Sequence, residues 1–148
     1  MQELEKKSNI RRMSWRQLWM NIAETVAQRS KDPRTKVGAV IVKDNHILGI
    51  GYNAEPRKFK LHFDWNSEEK YTYVIHAELN AIANACSVGT NVAGADIYVT
   101  MSPCKDCIKL LIQHQIKNVY YLNTYKDFEI TKHIAKFSSI KLKKFKQF

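Results

Sequence analysis

Cysteine is scarce in this chain: three among 148 residues are too few for the disulfide framework that small secreted domains use in place of a core. A chain of this length buries enough apolar surface without such staples, and a hydrophobic content of 45% agrees with a globular fold. Leading apolar sequence is also missing, since residues 1–12 are strongly polar, so neither a signal segment nor a membrane span is expected. Together these shortages point to a reducing, cytoplasmic compartment. Acids are the remaining deficit, with 14 Asp and Glu against 24 Lys and Arg, a formal charge of +10 and a pI near 9.6. Such a balance invites an anionic partner. Lys141, Lys143, Lys144 and Lys146 carry +4 of that charge, with no acid in residues 141–148, which leaves +6 for the rest. A moderately basic body suits a phosphorylated small molecule as well as a nucleic acid, and the plain alternative is a solvated basic face. Repeats, low-complexity tracts and linkers are absent. A single domain over 1–148 is therefore expected, with residues 1–13 as a charged, flexible arm.

What is present is a pair of segments, His76-Ala77-Glu78 and Pro103-Cys104-Lys105-Asp106-Cys107. Catalytic zinc takes three protein ligands from His, Cys or carboxylate and leaves a fourth position open; His76, Cys104 and Cys107 supply that number. Glu78 is then an unliganded carboxylate, placed to move protons. In the second segment Ser102 reads as N-cap and Pro103 as the first helical residue, with apolar Ile108, Leu111 and Ile112 following at helical spacing. Cys104 and Cys107, three apart, share a helix face, and the positive end of that helix favours thiolate. In the first segment Ile75, Leu79, Ile82, Ala83 and Cys86 mark the buried stripe of a helix beginning near His76. Residues two apart do not share a face, so His76 and Glu78 meet a metal only if the helix N-terminus points into the site. Two helix N-termini facing each other across the metal are predicted. Cys-x-x-Cys alone reads equally as a redox pair or half a structural zinc site. Combined with His-x-Glu it is the signature of zinc nucleobase deaminases, in which the Glu is a proton carrier. The bland reading is a satisfied helical His and two unconnected buried thiols.

Along the chain, Ser14 and Gln17 stand in capping-box spacing before a stripe of Trp15, Leu18, Trp19, Ile22, Ala23 and Val26. Residues 29–35 form a polar connection with three cations, either a phosphate contact or a solvated loop. Residues 37–42 and 47–52 read as hairpin strands joined by 43–46 and buried on both faces. The long connection from Asn53 to about Tyr73 reads as a lid or substrate-contacting loop. Strands follow over 95–101, 118–122 and 140–145, with a helix over 128–137. Their alternation with helices implies right-handed crossovers and parallel pairing, and alternating lysines guard the last strand as an edge. Thr124 to Asp127 follow a strand end, where ligand sites of parallel α/β sheets gather.

These motifs resemble the cytidine deaminase superfamily and, within it, the deoxycytidylate (dCMP) deaminase branch. The resemblance runs from about Trp15 to Phe145. It is carried by Arg29 to Pro33, Val37 to Ala39, Gly51 to Asn53, Lys70 to Ile82, Ser102 to Cys107 and Thr124-Tyr125. It implies a three-layer α-β-α fold, with a five-stranded mixed sheet and two helix N-termini presenting a Zn2+ site. It also implies hydrolysis of dCMP to dUMP and ammonia, feeding thymidylate synthesis, with Glu78 carrying protons from water to N3 and then to the leaving amine. By the same resemblance Asn53 contacts the sugar and Tyr125 the phosphate side, and Ser30, Lys31 and Lys126 are further phosphate contacts. The family is hexameric, so a homo-oligomer is expected. The family's Gly-Tyr-Asn-Gly run, tied to dCTP and dTTP control, stands here as Gly51-Tyr52-Asn53-Ala54. Ala lacks Gly's access to positive φ, which puts that regulation in question. Cys86 reads as a buried small hydrophobe, with a second zinc site as the alternative. Two rivals are a nucleic-acid base deaminase resembling tRNA adenosine deaminases, and a catalytically silent zinc- or nucleic-acid-binding module. The second gives Glu78 no purpose.

Overall fold

Ser14 opens the first element in the computed structural model, which describes residues 11–146; most of the expected arm, residues 1–10, lies outside them. Ser14 Oγ accepts the Gln17 N–H at 3.1 Å and starts α1, Trp15–Ala27. The reciprocal half of a capping box is not made, because Gln17 Nε2 donates to Asn21 Oδ1 at 2.8 Å. The helix buries Trp19, Met20, Ala23, Val26 and Ala27. Trp15 stays exposed and stacks on Trp19, ring centroids 5.5 Å apart.

Five strands follow: β1 Gly38–Lys43, β2 His46–Tyr52, β3 Asp96–Met101, β4 Asn118–Asn123 and β5 Lys141–Lys144. They form one sheet in the order β2-β1-β3-β4-β5. β1 is antiparallel to both β2 and β3, whereas β3, β4 and β5 run parallel, as strands joined by helical crossovers must. Asp44 and Asn45 make the tight turn between β1 and β2 with φ of 50° and 59°, a conformation that short polar residues tolerate. The lysine-rich β5 is an edge, as its pattern implies.

α1 covers one face of the sheet with Val40, Val42, Tyr98, Tyr120 and Phe145 beneath it. The opposite face carries Ala39, Ile41, Ile97, Val99, Val119 and Tyr121 under α3 (Ala77–Ser87), α4 (Lys105–Gln113) and α5 (Phe128–Lys136). The architecture is therefore the expected three-layer α-β-α arrangement. β1 is buried on both faces, but the same expectation for β2 is corrected. Ile47 and Ile50 are exposed, because β2 is an edge strand and contributes only Tyr52 to the cluster under α1.

The α3 stripe is corrected as well. The helix buries Ala77, Glu78, Ala81, Ile82 and Ala85, while Ala83 and Cys86 face solvent. The cause is backbone-to-backbone packing: a Cβ on Gly51 would lie 2.3 Å from Ala81 N and 2.4 Å from Ala77 O. Such close approach leaves room only for small side chains on the inner helix face. Asn80 and Asn84 donate to the Tyr52 and Ile50 carbonyls at 2.7 Å each, fixing the helix along the edge strand. The 53–73 connection is likewise pinned. Ala54 and Ile75 exchange backbone hydrogen bonds of 3.1 and 2.8 Å. Phe59, Phe63, Trp65 and Tyr73 form a chain of ring contacts at 5.0–5.5 Å. Within the connection lies α2, Lys70–Tyr73.

Candidate active site

His76 and Cys104 occupy matching positions, each the N-cap of its helix. The predicted opposition of two helix N-termini therefore holds. The cap of the second helix is corrected from Ser102 to Cys104, whose Sγ accepts the Cys107 N–H at 3.3 Å. Ser102 instead accepts the Tyr125 N–H at 2.7 Å, tying the end of β3 to the loop after β4. Because Cys104 caps the helix and Cys107 sits in its first turn, the two sulfurs converge through cap geometry. His76 Nδ1 lies 3.6 Å from Cys104 Sγ and 3.2 Å from Cys107 Sγ, and the three ligand atoms all fall within 4.8 Å of one another. Tetrahedral zinc with N and S ligands at their usual bond lengths separates those atoms by about 3.6 Å, so the donor set and spacing fit zinc.

Protonation in the cluster follows from its crowding. Cys104 is pulled below the ordinary thiol range, first by the hydrogen bond from Cys107 and then by His76 and the Cys107 N–H. Cys107 is pushed up by the same sulfur–sulfur hydrogen bond and by burial. His76 is raised, chiefly by its hydrogen bond with Cys104. Glu78, only 3% exposed, is raised to about 7, and burial is the leading cause. A carboxyl group near neutrality can both take and give a proton at ordinary pH.

The cluster opens onto a pocket. Asp32, Thr35, Val37 and Asn53 form one wall, Lys70, Tyr71 and Val74 of the long connection another, and His76, Ala77, Glu78, Met101, Ser102, Cys104 and Tyr125 complete it. Residues 13–123 match the family model for the cytidine and deoxycytidylate deaminase zinc-binding region.

The chain belongs to this deaminase family.

Among its relatives is the deoxycytidylate deaminase of Homo sapiens, 41% identical over 131 residues that cover 83% of this chain and 72% of the human protein. The crystal structure of the cyanophage S-TIM5 dCMP deaminase, in complex with dCMP and dUMP, superposes with a TM-score of 0.78 at 30% identity, covering 90% of this chain and 100% of that one. A tRNA:A34 deaminase structure shares the fold, with a TM-score of 0.65 at 21% identity over 89% of this chain and 100% of that one.

The deaminase pocket gathers some of the predicted contact residues and leaves others outside. Asn53 lines it, although its amide is already used locally: Oδ1 accepts the Val37 N–H and Nδ2 donates to the Thr35 carbonyl, both at 2.9 Å. Tyr125 lines it too, its phenol raised by burial first and by neighbouring Tyr71 next. Ser30 does not reach the pocket. Its Oγ donates to the Asn53 carbonyl at 2.9 Å and accepts the Asp32 N–H at 3.2 Å, so it supports residues that do. Lys31 points away, paired with Glu55 at 3.5 Å on the surface. Lys126 is an exposed rim residue, its Nζ 5.5 Å from the Tyr71 ring centroid and 5.7 Å from that of Tyr125. Cys86 is exposed, correcting its reading as a buried hydrophobe, and among the described residues the metal-competent cluster comprises His76, Cys104 and Cys107 without it. Ala54 does not adopt a positive φ, so its bridge to Ile75 needs no glycine. Asp32, Thr35, Lys70 and Tyr71 line the pocket; pattern reading points to their segments, 29–35 and 53–73, but singles out none of the four. Asp32 and Lys70 are 38 residues apart in sequence yet joined at 2.8 Å, and no local periodicity signals such a pair.

Proposed function

We propose that this chain deaminates dCMP hydrolytically to dUMP and ammonia. The observation that carries the chemistry is Glu78: a buried, unliganded carboxyl group two residues from the His76 ligand, at the wall of the pocket that His76 and Cys104 also line. A purely structural zinc site has no use for such an acid. The choice of dCMP rests on similarity to relatives bearing that name and on a basic chain of net charge +10.

Zinc held by His76, Cys104 and Cys107 would lower the pKa of a water from about 15.7 towards roughly 7. Glu78 takes a proton from the attacking water and delivers it to N3, making C4 electrophilic as the oxygen adds there. It then takes the remaining hydroxyl proton and passes it to the 4-amino group, so that ammonia leaves and C4=O remains. Burial excludes bulk water from Glu78, so its proton is exchanged with the bound base. Asn53, with one amide N–H unspent, serves the sugar, and Tyr125 the phosphate side with Lys126 at the rim. Ser30 and Lys31, carried over from the resemblance, act here only through Asn53 and through surface charge.

The reading extends to a cytoplasmic homo-oligomer, with dCTP and dTTP as effectors in question at Ala54. Light scattering and rate curves with each nucleotide test those points. The central test is ammonia release from dCMP, cytidine, dCTP, single-stranded DNA and tRNA. Turnover of dCMP is expected; turnover confined to the polynucleotides would favour the nucleic-acid base deaminase and overturn the proposal.

A further inference from the structure

Lys70 presents an unusual balance of cost and use. It is 7% exposed, and its Nζ donates to Asp32 Oδ2 at 2.8 Å. Among the described residues, no second hydrogen-bond acceptor meets its other two N–H groups. Asp32, 4% exposed, is by contrast fully engaged: Oδ1 accepts the Arg34 and Thr35 N–H groups at 2.9 and 3.1 Å. Its carboxylate faces fixed partners on every side, while the ammonium has donors to spare, and both residues border the pocket that contains Glu78.

Buried ion pairs add little net stability over apolar side chains of similar volume, and buried donors without acceptors are costly. The fold alone therefore gives a poor account of Lys70. A ligand that brings acceptors into the pocket gives a better one. Lys70 also belongs to a pair of cations around one ring, since its Nζ and that of Lys126 lie 5.4 and 5.5 Å from the Tyr71 ring centroid. The hydrogen bond to Asp32 holds the ammonium in place, and the Val74 N–H to Lys70 carbonyl bond of 2.9 Å holds its backbone.

We infer that Lys70, positioned by Asp32, is the cation that recognises the substrate's 5′-phosphate and so selects a nucleoside monophosphate over the bare nucleoside. This inference rests on the dCMP reading and deepens it. A phosphate monoester carries close to two negative charges at neutral pH and offers three acceptor oxygens, which matches the two unspent donors. Of the two cations that resemblance suggested, Lys31 is ion-paired on the surface and Lys126 is exposed.

The test uses the zinc-loaded full chain, with dUMP and deoxyuridine as ligands in isothermal titration. Replacing Lys70→Gln should lower the dUMP-to-deoxyuridine affinity ratio roughly 10- to 100-fold, the range for losing charge-assisted hydrogen bonds. Lys70→Arg should recover most of that ratio. Because Lys70→Gln leaves Asp32 buried without its cation, the double variant Lys70→Gln/Asp32→Asn is measured beside it, with unfolding midpoints for all proteins, and should show the same drop. Parallel weakening of both ligands would make Lys70 a mere fastener of the long connection and overturn the assignment. An unchanged ratio would overturn it too. A parent chain that releases no ammonia from dCMP sinks the substrate reading and this one with it, whereas a parent active on dCMP with an unmoved ratio sinks the Lys70 assignment alone.

Discussion

Two buried carboxyl groups in one pocket are driven in opposite directions. Glu78 sits in the first turn of α3, where a helix dipole favours a negative charge by about 0.3–1 kcal/mol. Burial nevertheless carries it from 4.5 to about 7, a displacement of about 3 kcal/mol, so desolvation outweighs the dipole. Replacing Glu78→Gln should lower ammonia release by roughly 10²- to 10⁴-fold while zinc content by atomic absorption stays that of the parent. Activity surviving in that variant would remove the proton-transfer role. Asp32 shows the reverse. Burial alone would raise it, but the Lys70 hydrogen bond and the Arg34 and Thr35 N–H groups together hold it below its usual value. A carboxyl group depressed in the folded state adds stability that is complete above its unfolded pKa of about 3.9, and that contribution is lost as pH falls through the folded pKa. Urea unfolding from pH 6 to pH 3 should therefore show the parent weakening below about pH 4. Asp32→Asn should lack this part of the slope and start about 3–5 kcal/mol less stable at pH 6, because Lys70 is left as a buried unpaired charge.

The element that decides the site is α3, pressed against β2 so that its N-terminus carries His76 and Glu78 to the pocket. Gly51 enables that contact. Adding one methyl group there would meet main-chain atoms at 2.3 and 2.4 Å, which no rotamer change relieves. Gly51→Ala should cost about 1–3 kcal/mol or more in urea unfolding and lower zinc occupancy at limiting metal. Gly89 provides the contrast: its φ is +76° but nothing lies within 4 Å of an added Cβ. Gly89→Ala should incur only backbone strain of order 1 kcal/mol and leave zinc occupancy unchanged. Equal zinc loss in both variants would show that helix seating against β2 is not what aligns the ligands.

Across the whole molecule, the metal site joins parts of the chain that are distant in sequence. His76 comes from the helix that follows the β1–β2 hairpin and its long connection, and Cys104 and Cys107 come from the crossover between parallel β3 and β4. A metal bound there fastens α3 to α4 and stabilises the folded state by mass action, about 2.7 kcal/mol when free zinc is 100 times its dissociation constant. Dialysis against a chelator should lower the thermal midpoint and abolish ammonia release, and zinc should restore both. A midpoint insensitive to chelation would mean that the two helix ends are held together without metal. Among the described residues no helix is long and apolar enough to cross a membrane.

Residue chemistry alone determined the donor set, singled out Glu78 as the candidate proton carrier, and gave the hairpin and the parallel pairing, while the mixed five-stranded sheet came with the family resemblance. Zinc accepts few ligand types, an unliganded Glu in that motif points to proton transfer, and strands alternating with helices return in parallel. These are properties of residue type and short spacing, which a linear string preserves. The tertiary structure decided what depends on partners far along the chain. The inner face of α3 follows Gly49 and Gly51 of β2, so its alanines are buried where periodicity favoured Ile75, Ala83 and Cys86. Ser102 gives up the cap because its hydroxyl is claimed by the Tyr125 N–H, and β1 is buried on both faces while β2, at the sheet edge, leaves Ile47 and Ile50 exposed, although both read as apolar runs. The Lys70–Asp32 pair belongs to the same class: each residue is ordinary in its own segment, and only folding removes both from water and leaves the ammonium with donors to spare at the pocket wall.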